Sequence, residues 1–293
     1  MLRGHCRIGL GARWEGQPCD LLIALHARRS APSIARFAAA HPERPLIVVL
    51  TGTDLYRDIR SDAVAQQSLA LASDLVVLQS MGPRELAPAD AAKCVVIHQS
   101  AARLQPVPPP LRRLRVVSVG HLRDEKDPET FMRAAGRLRE RRDIGFEQIG
   151  GALDPALGAA ALRTAAAQPS YRYLGNLPRA LTRQRIRRAQ LLVSTSRMEG
   201  GAQVIIEAAQ SGTAVLASRI SGNIGLLGAD HPGLFEFGDD AALAGLIERA
   251  RDDGAFLAAL RAQTLARAPL FEPAEEARAL LHLVHSALRR HSP

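Results

Sequence analysis

Short apolar runs recur along this chain, bounded by polar or turn residues and separated by Ala-rich stretches of helical length. In the first third the runs cover 20–25, 45–50, 74–79 and 93–98, with Ala-rich segments at 32–40 and 62–72. A strand that is apolar at consecutive positions must be covered on both faces, which is the condition of a parallel sheet flanked by helices. A Pro-rich stretch at 105–110 breaks the pattern and reads as a connector. A second series follows, with strands at 115–120, 144–150, 171–174, 191–194 and 214–218. Its helices are expected at 128–142, 155–167, 182–189 and 201–211, then at 239–251, 254–267 and 274–290. At 293 residues the length suffices for two such domains. The expected fold is α/β with two Rossmann-like, doubly wound domains, residues 1–104 and 112–268, and a helix at 274–293 that returns to the first.

The beginning is atypical. Residues 5–10 offer only a weak strand, and the strand, Gly-rich turn and helix that usually open a doubly wound domain have no counterpart. Residues 1–4 would fit the last turn of a helix. The expectation is an in-frame segment upstream of Met1; a shortened form of the protein is the alternative.

Bulk properties narrow the function. No apolar run reaches the ~18–20 residues of a membrane span, and no signal-peptide layout opens the chain, so stable membrane insertion is not expected and the cytoplasm is the expected compartment. The net charge of +9 is carried almost wholly by arginine, Lys93 and Lys126 being the only lysines. With 4% aromatic residues the chain lacks the stacking platforms of single-strand binders, so nucleic acid is not an expected partner. Cys6, Cys19 and Cys94 lack metal-ligand spacing, and neither a disulfide framework nor a metal is expected. The oligomeric state is not legible.

Two segments concentrate chemistry. Residues 196–208 read Ser-Arg-Met-Glu-Gly-Gly-Ala-Gln-Val-Ile-Ile-Glu-Ala, after one strand and opening a helix. Paired glycines, Gly200 and Gly201, let backbone amides approach a phosphate at a helix start. Glu199 and Glu207 lie eight residues apart, about 12 Å along a helix, a span that could hold hydroxyls at both ends of a nucleotide-sugar. A capping Glu followed by an ordinary amphipathic helix fits the same residues. The other segment, 120–128, reads Gly-His-Leu-Arg-Asp-Glu-Lys-Asp-Pro between a strand and a helix. Its Arg123 and Lys126 suit a diphosphate leaving group, although a solvated charged loop is the commoner fate of such a run.

Together these segments resemble the retaining glycosyltransferases of family four, of GT-B fold, over residues 112–265. The resemblance implies a UDP-sugar co-substrate and no other cofactor. It implies that Arg123 and Lys126 neutralise the leaving diphosphate, that Glu199 meets the donor sugar and that Glu207 holds the ribose. It places Gly120, Gly200 and Gly201 at the phosphates or sugar, and Gly175 and Asn176 on the nucleobase side. Further phrases narrow the likeness: 24–31 (Ala-Leu-His-Ala-Arg-Arg-Ser-Ala), 50–59 (Leu-Thr-Gly-Thr-Asp-Leu-Tyr-Arg-Asp-Ile) and 221–228 (Ser-Gly-Asn-Ile-Gly-Leu-Leu-Gly). With the two segments above, they resemble the selenosugar synthases of bacterial selenoneine biosynthesis along the whole chain. That implies selenophosphate as the second substrate, a C–Se bond formed at the anomeric carbon, and UDP released.

On the acceptor side the candidates are His26, Arg28, Arg29, Thr51, Asp54 and Tyr56, all just past strand ends. The arginines would suit a small anion; they equally fit an exposed pair in an Arg-rich protein, and His26 a hydrogen-bonded core histidine. Where family-four enzymes often carry a His-Asp pair this chain has Thr53-Asp54, which removes that histidine's conventional role. Three other classes remain open: a transferase moving a hexose or N-acetylhexosamine to a hydroxyl, a UDP-sugar 2-epimerase, and a non-catalytic nucleotide-sugar binder.

Overall fold

The structure, a computed structural model, describes residues 2–107 and 112–291; Met1, the end of the expected connector and the last two residues of the expected closing helix lie outside that range. The chain forms two compact units. One comprises Met1–Ser100, Glu199–Gly201 and Leu270–Pro293, the other Ala101–Met198 and Ala202–Pro269.

In the first unit four parallel strands lie in chain order: β1 (Leu22–Leu25), β2 (Leu46–Leu50), β3 (Asp74–Val77) and β4 (Cys94–Val96). Helix α1 (Ala31–Ala40) joins β1 to β2, and α2 (Ala63–Leu71) precedes β3. The pleat sorts β2 by parity. Leu46, Val48 and Leu50 turn to the face covered by Trp14, Ile34, Phe37, Leu55 and Leu69, whereas Ile47 turns to the opposite face. Both faces are thus apolar, as consecutive hydrophobic positions demand. Asp62 starts α2 by accepting from the amides of Val64 and Ala65, satisfying two donors that have no helical partner.

The weak strand expected at 5–10 does not form. Leu2–Gly4 is a single 3-10 turn, and residues 7–10 are irregular and exposed, with Leu10 84% accessible. Gly9 and Gly11 flank Leu10, and glycine is costly to order in a strand.

The second unit has six parallel strands: β5 (Leu114–Val119), β6 (Ile144–Ile149), β7 (Tyr171–Tyr173), β8 (Leu191–Ser194), β9 (Ala214–Ser218) and β10 (Leu234–Phe235). Their order is β10-β9-β8-β5-β6-β7. The helices are α3 (Pro128–Arg137), α4 (Pro155–Ala167), α5 (Arg179–Arg188), α6 (Gln203–Ala209), α7 (Ser221–Leu227), α8 (Asp240–Asp252) and α9 (Gly254–Ala266). The chain runs outward from β5 to β7, then returns to lay β8 on the other side of β5. At that reversal the carboxyl ends of β5 and β8 lie side by side, the place where open α/β sheets of this kind bind ligands. Phe131, Phe146 and Tyr171 centre the core beneath it. The helix expected over 128–142 ends at Arg137, and α7, within Gly- and Asn-containing sequence, was not expected.

The closing helix α10 (Pro273–Arg290) belongs to the first unit. Its Leu283, Val284 and Ala287 pack on Ile47, Val76, Leu78 and Ile97, and Arg290 reaches Asp74 at 2.5 Å. No helix among the described residues is long and apolar enough to cross a membrane.

Candidate active site

The carboxyl ends of β5, β6 and β7 meet through glycines. Gly120 donates its amide to Ile149 (2.9 Å), and Gly150 donates to Gly175 (2.8 Å). Gly150 has φ +148°, and a Cβ there would lie 1.9 Å from the Gly120 carbonyl, so no other residue fits. Gly175, with φ +63°, turns the chain after β7, and Asn176 follows it on the surface. His121, which sequence reasoning passed over, accepts the Gly151 amide at Nδ1 (3.1 Å), fixing its ring at these strand ends.

The loop after β5 carries Arg123 and Lys126 among Asp124, Glu125 and Asp127. Asp124–Lys126 forms a 3-10 turn, and Asp127, at φ +41°, reverses the chain and caps α3 through Thr130. The aliphatic stem of Lys126 lies over Gly120, where a Cβ would stand 3.4 Å from Cδ. Arg123 sits 3.7 Å from Glu125, and its Nε is buried without a hydrogen bond among the described residues.

The loop after β8 is tied to this one. Thr195 donates its hydroxyl to the Lys126 carbonyl (2.9 Å), and the Arg197 amide donates to the Glu125 carbonyl (2.9 Å). The Arg197 guanidinium pairs with Asp124 at 3.3 Å and lies over the Phe237 ring at 5.3 Å. Arg197 was therefore missed as a residue of the site; its only sequence signal is its place beside Ser196 at a strand end. Beneath the loop, Ser218 donates to the Ser196 carbonyl, and Asn223 donates to Ser218.

Glu207, on α6, is 4% exposed, and its Oε1 lies 3.4 Å from Nε and Nη2 of Arg179. The structure thus brings Gly120, Arg123, Lys126, Gly175, Asn176 and Glu207 into one unit, at strand ends or on the helices that follow them. Glu199, Gly200 and Gly201 fall in the other unit. There Glu199 is buried, a Cβ on Gly200 would come 2.2 Å from the Thr51 carbonyl, and one on Gly201 would come 2.8 Å from Cβ of Leu78. These glycines therefore serve close packing as well as any ligand.

Among the acceptor-side candidates, Asp54 is fully buried. It accepts the amides of Thr51 (2.9 Å), Gly52 (2.9 Å) and Ala27 (3.0 Å), so it braces the loops after β1 and β2. His26 is buried at φ +73°, with Nδ1 accepting from the Arg29 amide (3.3 Å) and Nε2 3.0 Å from the Thr53 hydroxyl. That pairing favours the tautomer with the hydrogen on Nε2. Tyr56 accepts from the Gln79 side chain, and Thr51 is exposed. Arg28 pairs with Asp62 at 2.7 Å, whereas the exposed Arg29 guanidinium has no ion pair among the described residues.

Residues 103–267 match the family "Glycosyl transferases group 1", more than half of the chain. The chain belongs to the group 1 glycosyltransferases. No curated protein sequence matches it. Among solved structures it is similar to sucrose-phosphate synthase from Thermosynechococcus elongatus (16% identity, TM-score 0.76, covering 92% of this chain and 74% of that one). It is also similar to HepE of Anabaena, solved in complex with UDP (19%, 0.74, 91% and 79%). TarM of S. aureus is another neighbour (14%, 0.72, 90% and 55%), so this chain spans just over half of TarM's length. These likenesses establish the fold of this group 1 glycosyltransferase, the α/β architecture of two Rossmann-like domains found in GT-B enzymes.

Proposed function

We propose that the protein transfers a sugar from a UDP-sugar to selenophosphate, forming a C–Se bond and releasing UDP. The observation that carries the donor half is the pair of loops joined at the strand reversal. They put Lys126 and Arg123 at the carboxyl ends of the sheet, in a chain of a glycosyltransferase family. Cations fixed where a diphosphate departs stabilise charge that grows in the transition state. Gly175, beside which no atom lies within 4 Å of where a Cβ would be, leaves room for the nucleotide at the end of β7, and Glu207 is the acceptor for its ribose hydroxyls. That HepE was solved with UDP, and also with UDP-glucose, supports the choice of nucleotide.

The acceptor half rests on the phrases 24–31, 50–59 and 221–228 and on Arg29, an exposed cation just past β1. Selenium is a soft, already anionic nucleophile, so attack on the anomeric carbon needs little general-base help. The C–Se bond forms as the C–O bond to UDP breaks, with UDP taking the electron pair. Hydrolysis of the Se–P bond by water then frees phosphate and the 1-seleno-sugar.

A second reading, transfer of a hexose or N-acetylhexosamine to a hydroxyl, is favoured by the neighbours: HepE was solved with UDP and glucose, and TarM with α-GlcNAc-glycerol and UDP. Incubating the protein with UDP-glucose or UDP-N-acetylglucosamine, first with selenophosphate and then with glycerol or simple sugars, separates the two. Mass spectrometry should show the selenium isotope pattern in a sugar product. Transfer to hydroxyls alone would establish the second reading.

A further inference from the structure

Helix α5 carries Arg179 and Arg183 one turn apart, hence on one face. Both converge on a single oxygen. Nε and Nη2 of Arg179 stand 3.4 Å from Oε1 of Glu207, and Nε of Arg183 stands 4.0 Å from the same atom. Arg183 is held from behind by its own bond to the Ala102 carbonyl (2.5 Å), and only 13% of its side chain is exposed. Arg179, by contrast, is 72% exposed and approaches Glu207 from the solvent side. Oε2 of Glu207 takes no hydrogen bond among the described residues and is not sealed from solvent. One oxygen of a buried carboxylate is thus anchored while the other is left to accept.

We infer that Arg179 is a positioning residue for the nucleotide: it anchors Oε1 of Glu207 and so presents Oε2 to the ribose hydroxyls. The inference rests on the donor reading above and adds to it a residue that touches the nucleotide only through Glu207. The arrangement asks for arginine, because its fork places two donors on one oxygen, whereas an ammonium is a point charge on a flexible stem.

Calorimetric titration of UDP and 2′-deoxy-UDP into the wild type and the Arg179→Gln, Arg179→Lys, Glu207→Gln and double variants tests this. Arg179→Gln should weaken UDP roughly five-fold, as loss of a largely exposed pair implies. It should weaken 2′-deoxy-UDP less, so the preference for the hydroxyl narrows. Arg179→Lys should restore part of that preference. In the Glu207→Gln background the second change should cost nothing more, the mark of residues acting as one unit. With saturating donor, kcat should hold while KM rises. Equal weakening of both nucleotides would mean that Arg179 works on the diphosphate, and would overturn the inference. So would an Arg179→Gln variant that binds UDP as the wild type does while Glu207→Gln does not. A wild type that fails to bind UDP would sink the donor reading itself, and this inference with it.

Discussion

Thr195 gives its hydroxyl hydrogen to the main-chain carbonyl of Lys126 across 2.9 Å, joining the loop after β8 to the loop after β5. Lys126, proposed above to meet the departing diphosphate, is therefore held by a hydroxyl from the other side of the strand reversal. Lys126→Ala should lower kcat roughly thirty- to thousand-fold, the ~2–4 kcal/mol of one transition-state charge contact. Thr195→Val, which displaces that cation without removing it, should cost about ten-fold. Steady-state rates with saturating UDP-sugar check both, and unchanged turnover in Lys126→Ala would remove its assigned role.

Asp54 is surrounded by backbone amides, so its removal is first a matter of stability. Asp54→Asn turns an amide group toward N–H donors and should cost roughly 1–3 kcal/mol. Thermal denaturation should show a drop of several degrees, with turnover persisting well below the new midpoint. An unshifted midpoint with abolished turnover would instead make Asp54 part of the chemistry.

Gly150 and Gly175 both sit at positive φ, but only Gly150 is crowded. Gly150→Ala should be severely destabilising, by more than about 3 kcal/mol, since it adds a clash with the Gly120 carbonyl to backbone strain. Gly175→Ala meets no atom within 4 Å and should cost about 1–2 kcal/mol. Chemical denaturation of the two variants should rank them in that order.

His231 is buried beside Thr264, and burial holds its imidazole pKa down at about 4. The unfolded chain, with a value near 6.5, takes up that proton first. The contribution of neutral His231 is therefore complete above about pH 6.5 and lost as the pH falls through 4, some 3 kcal/mol in all. Urea unfolding followed between pH 7.5 and 4.5 should show that decline, and His231→Gln should flatten it. An equally steep decline in the variant would assign it to other groups.

Much of this architecture was legible because consecutive apolar positions and turn residues state the strands directly. Residues 45–50 and 191–194 read as buried strands, and Leu46–Leu50, buried except for half-buried Val49, and fully buried Leu191–Ser194 form them. Ser221–Leu227 was not legible as a helix, because its two glycines and an asparagine carry poor helix propensity; buried Leu226 and Leu227 and the Asn223 bonds to Ser218 hold it instead. Residues 5–10 failed in the other direction, their apolar side chains finding no strand to pair with. The site divided along the same line. Arg123, Lys126 and Glu207 stand out as candidates in the sequence by their place after strands and by the resemblance of their segments to a known family. The approach of Arg179 to Glu207 and the seat of Arg197 between Asp124 and Phe237 depend on elements brought together only by the fold.

The packing of α10 on the first sheet has a consequence for how the protein is made. Ile47, Val76, Leu78 and Ile97 leave the ribosome early, yet the helix that covers them is translated only after the whole second unit. All of the second unit emerges in between, which at about 5–20 residues per second is roughly ten to thirty seconds. During that interval one face of a parallel sheet is greasy and uncovered, and the second unit is free to fold on its own. The nascent first unit is thus an obvious client for a holdase chaperone, and a ribosome stalled before residue 273 would release a chain with one finished half and one adhesive half.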